Sequence, residues 1–252
     1  MGPTKTLYLD GRSTLVVERA GPALQVTAGD LPPVWYPFAR LSYILCRGPV
    51  GWRGDALQAC IQQGLVVVFL DLDDRCTGIA SGMPADHLGL GVRLELAAAR
   101  PGWEQRYRTW LQVQHQRRAA YACRALGWPD DGRRRLHHLR QRLHQTLQVR
   151  FGAQADGCQR RLNSLLQADV AAALTHAGLT PDQLAGLGPA GHLADDLQSL
   201  LQWPLRGKLL TLPAPARADE LAAAAALYHR FLQPGLTATC RRLVASLFSL
   251  GP

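Results

Sequence analysis

The segment GHLADDLQSLLQWP, residues 191 to 204, places one histidine and two aspartates within five positions, ahead of a leucine-rich run. Carboxylates and an imidazole can hold a divalent cation that polarises a phosphate. At 100° per residue, His192, Asp195 and Asp196 fall on the helix face opposite the leucines, so the three groups can meet. Two acids in a first helical turn also interact favourably with the helix dipole, and His192 can cap or pair with them. The segment therefore predicts either a metal or phosphate-facing site or a solvated helix start.

Positive charge is concentrated in one part of the chain. Of the formal net charge of +9, residues 117 to 161 carry +8, from eleven arginines and three acids. Arginine pairs bidentately with phosphate, so this clustering predicts contact with a nucleic acid backbone. The predicted phosphate contacts, which position the nucleic acid without specifying sequence, are Arg133, Arg134, Arg135, His137, Arg140, Arg142 and His144.

A helix is expected to carry much of this charge. Leucines at 136, 139, 143 and 147 form one stripe, which must pack inward. His137, Arg140, Gln141 and His144 recur every three or four residues on another face, and we call these four residues the basic ridge.

The elements that position these residues divide the chain in two. The first third has short β patterns, with turns predicted at Asp10-Gly11, as a hairpin, and at Gly21-Pro22. A strand, a short helix closed by Gly64 and the buried strand LVVVFL follow. Glycine and proline cluster at residues 81 to 92, and beyond them helical spacing prevails, with a helix end predicted at Pro204 and a break at Pro234-Gly235.

The fold class is therefore α+β, with a small N-terminal β-rich domain followed by a larger all-α helical domain. We place the domains at residues 1–85 and 86–252. Six scattered cysteines, without CxxC, indicate reduced thiols rather than a zinc or disulfide framework. No run approaches the length of about 20 apolar residues that spans a bilayer, and no signal peptide is evident, so the sequence predicts a cytoplasmic protein without membrane contact.

Three ordered segments resemble the CRISPR-associated protein 1 family, the endonuclease and integrase of spacer acquisition. Residues 40 to 81, RLSYILCRGPVGWRGDALQACIQQGLVVVFLDLDDRCTGIAS, are similar to the family's β domain. LNSLLQADVAAALTHAGLTP, residues 162 to 181, looks like a helix of the family's second domain. LADDLQSLLQWP, residues 193 to 204, is similar to its later ADL segment.

The resemblance implies a divalent metal, Mg²⁺ or Mn²⁺, held by a glutamate, a histidine and an aspartate of the helical domain. The aspartate corresponds to Asp195, with Asp196 one position away. No glutamate stands between Pro129 and Asn163, and the loop before His192 holds no other imidazole. The degraded ligand set predicts a divergent member that binds DNA in a CRISPR adaptation or effector assembly and is catalytically impaired. It then needs no cofactor, and Asp195, Asp196 and His192 are vestigial catalytic residues.

Two alternatives stay open. The chain is an active metal nuclease or integrase whose third ligand is Glu104, Asp169 or a partner's residue, with Mg²⁺ or Mn²⁺ as cofactor. Alternatively, it is a protein-interaction scaffold that never meets DNA. The expected partners are DNA, other CRISPR-associated proteins including the small adaptation subunit, and a second copy, through a homodimer formed by the β domain.

Overall fold

The computed structural model describes residues 5–82, 90–129, 136–179, 183, 193–212 and 226–247. The chain divides into two compact units, Met1–Asp86 and His87–Pro252. Strands dominate the first unit and helices the second, so the predicted class, a β-rich domain followed by a helical domain, is confirmed. Within the described ranges, no helix is long and apolar enough to cross a membrane.

The described part of the first unit contains two four-stranded sheets. The strands are β1 (Lys5–Asp10), β2 (Leu15–Ala20), β3 (Ala23–Ala28), β4 (Val34–Pro37), β5 (Leu41–Arg47), β6 (Gly51–Trp52), β7 (Val66–Leu70) and β8 (Cys76–Ala80). Their orders in the two sheets are β1-β5-β7-β8 and β4-β3-β2-β6. The second sheet contains the β2-β3 hairpin, whose turn is at Gly21-Pro22 as predicted.

The apolar run that ends in β7 lies inside the first sheet. β7 pairs in parallel with β5 and antiparallel with β8, and all of its residues except Phe69 are buried. Helix α1 (Ala56–Gln62) precedes β7 and packs Ala56, Ala59 and Cys60 into the same core. A strand covered on both faces needs apolar residues at consecutive positions, which explains this uninterrupted run.

The predicted hairpin at Asp10-Gly11 is wrong. β1 pairs in parallel with β5, whereas β2 belongs to the other sheet. Gly11 is needed here for a close approach: its N–H donates to the carbonyl of Arg47 at 2.7 Å, and an added Cβ would lie 2.2 Å from the carbonyl oxygen of Pro49. A glycine that allows close backbone contact has the same sequence pattern as a hairpin glycine.

The described α-helices of the second unit are numbered α2 to α7 in chain order. Gly102, with a φ of 75°, separates the first two. A π-helical turn, Tyr228–Leu232, leads directly into the last helix, so the expected break at Pro234-Gly235 is a change of helix type and not an interruption. The helices are α2 (Leu90–Ala98), α3 (Trp103–Ala125), α4 (Leu136–Phe151), α5 (Ala155–His176), α6 (Leu193–Thr211) and α7 (Gln233–Leu247).

The predicted helix end at Pro204 is also wrong, because α6 continues through this proline to Thr211. Proline inside a helix removes one backbone hydrogen bond and crowds the preceding turn. Here packing offsets the loss, since Leu205, Leu209 and Leu210 are buried beyond the proline. Gly207 lies so close to α3 that an added Cβ would be 3.3 Å from the Cβ of Ala122. Tertiary burial therefore decides the length of α6.

Candidate nucleic-acid interface

Helix α4 packs by the predicted leucine stripe. Leu139, Leu143 and Leu147 are buried, while His137 and His144 are exposed on the opposite side. The helical repeat places Arg140 and Arg142 about 160° apart, at opposite borders of this stripe. The two arginines therefore reach different surroundings, although both were predicted as phosphate contacts.

Arg140 reaches across α4 to helices α6 and α3. Its Nη2 donates to Ser199 Oγ at 3.2 Å and lies 3.5 Å from His115 Nδ1. The guanidinium carbon lies 5.4 Å from the ring centroid of Trp203, within the range of a cation–π contact. Three helices thus hold this guanidinium, although its side chain remains exposed to solvent.

His115 is held in its neutral form beside Arg140. Trp203 Nε1 donates to His115 Nδ1 at 3.1 Å, so Nδ1 acts as the acceptor and the ring proton is on Nε2. Burial, and then the positive charge of Arg140, lower the pKa of His115 from 6.5 to about 4. The imidazole therefore adds no charge to this cluster at neutral pH. Sequence reasoning missed His115 because its partners lie on other helices.

Asp196 lies on the same face of α6 as Ser199 and Trp203, at spacings of three and four residues. Tyr107 Oη donates to Asp196 Oδ2 at 2.8 Å. Burial, followed by the Asp196 carboxylate, raises the pKa of Tyr107 well above its usual value, so the phenol keeps its proton. Asp195, in contrast, is exposed.

We call Tyr107, His115, Arg140, Asp196, Ser199 and Trp203 the polar seam, because hydrogen bonds among them join α6 to α3 and to α4. Two further guanidinium groups belong to α6 and α4. Burial and then Arg140 lower the pKa of Arg206, which lies one turn beyond Trp203 on α6. Arg142 stacks over Trp128, with its guanidinium carbon 4.1 Å from the ring centroid. The spacing 199, 203, 206 is the sequence signal that identifies Arg206.

Metal-binding groups do not converge in the described part of the chain, which contains no cluster of three or more His, Cys, Asp and Glu side chains fit for a metal ion. The two residues considered as a third ligand have other partners. Glu104 accepts a hydrogen bond from Arg108, and Asp169 accepts one from Tyr228 at 2.7 Å. Asp196 is the single carboxylate among the six residues of the polar seam, and the Arg140 guanidinium nearby repels a cation, so the seam does not fit Mg²⁺ or Mn²⁺.

Four predicted site residues lie outside the described residues. They are His192, Arg133, Arg134 and Arg135. The assignment of all predicted site residues to DNA or metal contact stays a prediction.

Comparison with solved structures reveals close similarity of fold. A Cas1 protein from Thermotoga maritima superimposes with a TM-score of 0.72 at 10% identity, covering 96% of this chain and 97% of that chain. The TtCas1–DNA complex gives a TM-score of 0.62 at 14% identity over 98% and 91% of the two chains. A casposase bound to an integration product gives 0.67 at 14% identity over 98% and 92%.

No protein-family model matches the sequence, and no curated protein matches it. The similarity is thus one of three-dimensional structure at low sequence identity, and it extends over nearly the whole chain.

Proposed function

We propose that this chain, which has the Cas1 fold, is a DNA-binding subunit of a CRISPR-associated integration complex in the cytoplasm, and that its own metal centre is impaired. The Cas1 fold supports the assembly, since the similar structures include a DNA complex and an integration product. The observation that carries the proposal is the position of Arg140 against the face of α6 that bears Asp196.

Arg140 changes what this face of α6 can bind. A guanidinium one helical turn from Asp196 repels a divalent cation and attracts a phosphate. The charge of Arg140 reaches Arg206 of α6, whose pKa is lowered by burial and by this charge, so positive charge accumulates at this face. A DNA phosphate beside the exposed Arg140 offsets this repulsion. The polar seam then binds the phosphate backbone of DNA instead of holding a metal ion for strand transfer.

The test of DNA binding is fluorescence anisotropy with labelled duplex DNA. Arg140→Gln is expected to weaken binding about tenfold and to reduce the dependence of affinity on salt by about one phosphate contact. Arg108→Gln is the matched control, because Arg108 is exposed but already paired with Glu104. Wild-type protein that fails to bind DNA, or that binds it independently of salt, would contradict the DNA-binding role and favour the scaffold alternative.

Catalytic impairment has its own experiment. Supercoiled plasmid incubated with the protein and Mn²⁺ is expected to stay intact. Nicking that depends on the metal and disappears in both Asp195→Ala and Asp196→Ala would show an active nuclease. Such a result would overturn the impairment but not the DNA binding.

A homodimer through the first unit is part of the proposal, alongside a complex with other CRISPR-associated proteins including the small adaptation subunit. The edge strand β4 supports it. β4 pairs only with β3 among the described strands, and Leu31, Val34 and Trp35 are exposed on or next to it. An edge strand with unpaired backbone groups and exposed apolar side chains favours pairing with a strand of a second copy. Sedimentation should show a dimer that Trp35→Lys dissociates, and a monomeric wild-type protein would contradict this part.

A further inference from the structure

Trp203 of α6 lies against the guanidinium of Arg140 and is itself closed to solvent. The tryptophan is 2% exposed, whereas the Arg140 side chain on α4 is exposed. The indole is therefore shielded from a DNA duplex that binds at the surface, although the centre of its ring is 5.4 Å from the guanidinium carbon. An effect of this ring on DNA binding must act through the arginine.

The indole N–H fixes the orientation of the Trp203 ring. A buried tryptophan N–H needs an acceptor, because an unpaired donor away from water is costly. Nε1 of Trp203 donates to Nδ1 of His115 on α3 at 3.1 Å. This bond connects the ring to a second helix, and the ring cannot turn about its side-chain torsions without breaking it. The acceptor on α3 thus holds the indole face against Arg140.

The same nitrogen of His115 lies next to the arginine. Nη2 of Arg140 is 3.5 Å from Nδ1 of His115 and donates to Ser199 Oγ at 3.2 Å. A neutral imidazole tolerates a guanidinium at this distance, whereas an imidazolium would repel both the guanidinium and the Trp203 donor. Burial, and then the charge of Arg140, lower the pKa of His115 to about 4, so the acceptor is present at neutral pH.

Arg142, at the other border of the leucine stripe of α4, has a different environment. Its guanidinium stacks on Trp128, which follows the end of α3 and belongs to a connecting segment. Both rings beside Arg140, in contrast, belong to helices α3 and α6, which pack against each other. Of the two arginines, Arg140 is the one whose surroundings are set by helix packing.

We propose that His115 and Trp203 are positioning residues, which hold the Arg140 guanidinium in the orientation that receives a phosphate of duplex DNA. The inference rests on the proposed DNA binding and adds two residues that act through Arg140. A long, flexible side chain loses conformational freedom when it binds a phosphate. The indole face and the Ser199 hydroxyl already restrict Arg140 in the free protein, so less freedom is lost on binding. Fixing one such side chain beforehand should raise the affinity about fivefold.

The test is a double-mutant cycle, with the affinity for labelled duplex DNA measured by anisotropy. His115→Leu removes the acceptor and should weaken binding about fivefold in otherwise wild-type protein, yet change nothing in an Arg140→Gln background. His115→Asn, whose amide oxygen can take the position of Nδ1, should keep most of the affinity. Trp128→Leu is the matched control: it removes the ring beneath Arg142 and should have the same effect in both backgrounds.

The mobility of Arg140 provides a second measurement, which needs no DNA. In the free protein, the NMR order parameter of its Nε–H bond should fall in His115→Leu and stay high in His115→Asn. The signal is assigned by its loss in Arg140→Gln. Trp203→Phe, which keeps an aromatic ring but removes the N–H, should lower the order parameter in the same way, and it serves as the test variant if His115→Leu does not fold.

The outcomes separate this inference from the proposed function. An equal loss of affinity from His115→Leu in both backgrounds, or an unchanged order parameter of Arg140, would overturn the inference and leave DNA binding intact. Duplex affinity that is indifferent to Arg140→Gln would overturn both the role of Arg140 in DNA binding and the inference. A loss confined to the background that contains Arg140, together with higher mobility of its side chain, would support both.

Discussion

Tyr107 on α3 donates a hydrogen bond to the Asp196 carboxylate on α6, with 2.8 Å between the two oxygens. The two residues are 89 positions apart in the sequence, and Trp103 and Trp110 flank the tyrosine ring with centroids 6.0 and 5.6 Å away. The contact fixes Asp196 in the polar seam, while its neighbour Asp195 faces solvent.

Removing this hydrogen bond should destabilise the helical unit. Tyr107→Phe keeps the aromatic packing but leaves a partly buried carboxylate with one donor fewer, so the free energy of unfolding should fall by about 1–2 kcal/mol. Urea denaturation followed by circular dichroism measures this change. Tyr121→Phe, at an exposed ring of the same helix, should leave the urea midpoint unaltered. Equal stability of the two variants would mean that the bond contributes nothing net.

His115 should make stability depend on pH below neutrality. Its pKa is about 4 in the folded protein and 6.5 ordinarily, so between these values the unfolded state binds more protons. Stability is therefore lost as the pH falls from 6.5 towards 4, by about 2 kcal/mol once the partial solvation of the ring is taken into account. Unfolding at pH 7 and pH 5 should show a smaller difference for His115→Gln than for wild-type protein. The exposed His144→Gln should keep the wild-type difference, and a variant at position 115 that also keeps it would contradict the assignment.

Arg150 should hold the end of α6. Its guanidinium donates to the carbonyl of Leu210 at 2.5 Å and to that of Leu212, groups that have no partner within the helix. Arg150→Met should cost about 1–3 kcal/mol and speed hydrogen exchange in the last turn of α6. Arg160→Met, which removes an exposed arginine of α5, provides the comparison. Unchanged exchange in the Arg150 variant would show that solvent satisfies these carbonyls equally well.

Asp169 should be the anchor of the π-helical turn. Its two oxygens accept hydrogen bonds from Tyr228 at 2.7 Å and from Gln233 at 3.0 Å. Residues five apart diverge on an α-helix but align on a π-helix, so the turn brings both donors to one carboxylate. Asp169→Ala leaves the buried Tyr228 hydroxyl without this acceptor and should cost about 2–4 kcal/mol in thermal or urea unfolding. Asp156→Ala, at an exposed acid of the same helix, should cost far less, and similar losses for both would refute the buried role.

Local sequence patterns predicted much of the architecture, because the type of an element and its buried face depend on residues close together in the sequence. The leucine stripe of α4, the β7 run and the change from β to helical spacing each follow from which side chains avoid water. Pro204 and Gly11 show the limit of such patterns. A proline ends a helix unless buried leucines on both sides hold it, and a glycine that touches Pro49 is indistinguishable from one in a turn.

The sequence by itself determined the two-part fold class, the concentration of arginine and the resemblance to Cas1 proteins, since these depend on composition, periodicity and the order of segments. Only the tertiary structure decided which residues meet. It separated Arg140 from Arg142, paired Asp196 with Tyr107 and held His115 neutral beneath Trp203. The physical reason is that hydrogen bonds, desolvation and charge repulsion act over a few ångströms in space, and helix packing brings together residues that the chain keeps far apart.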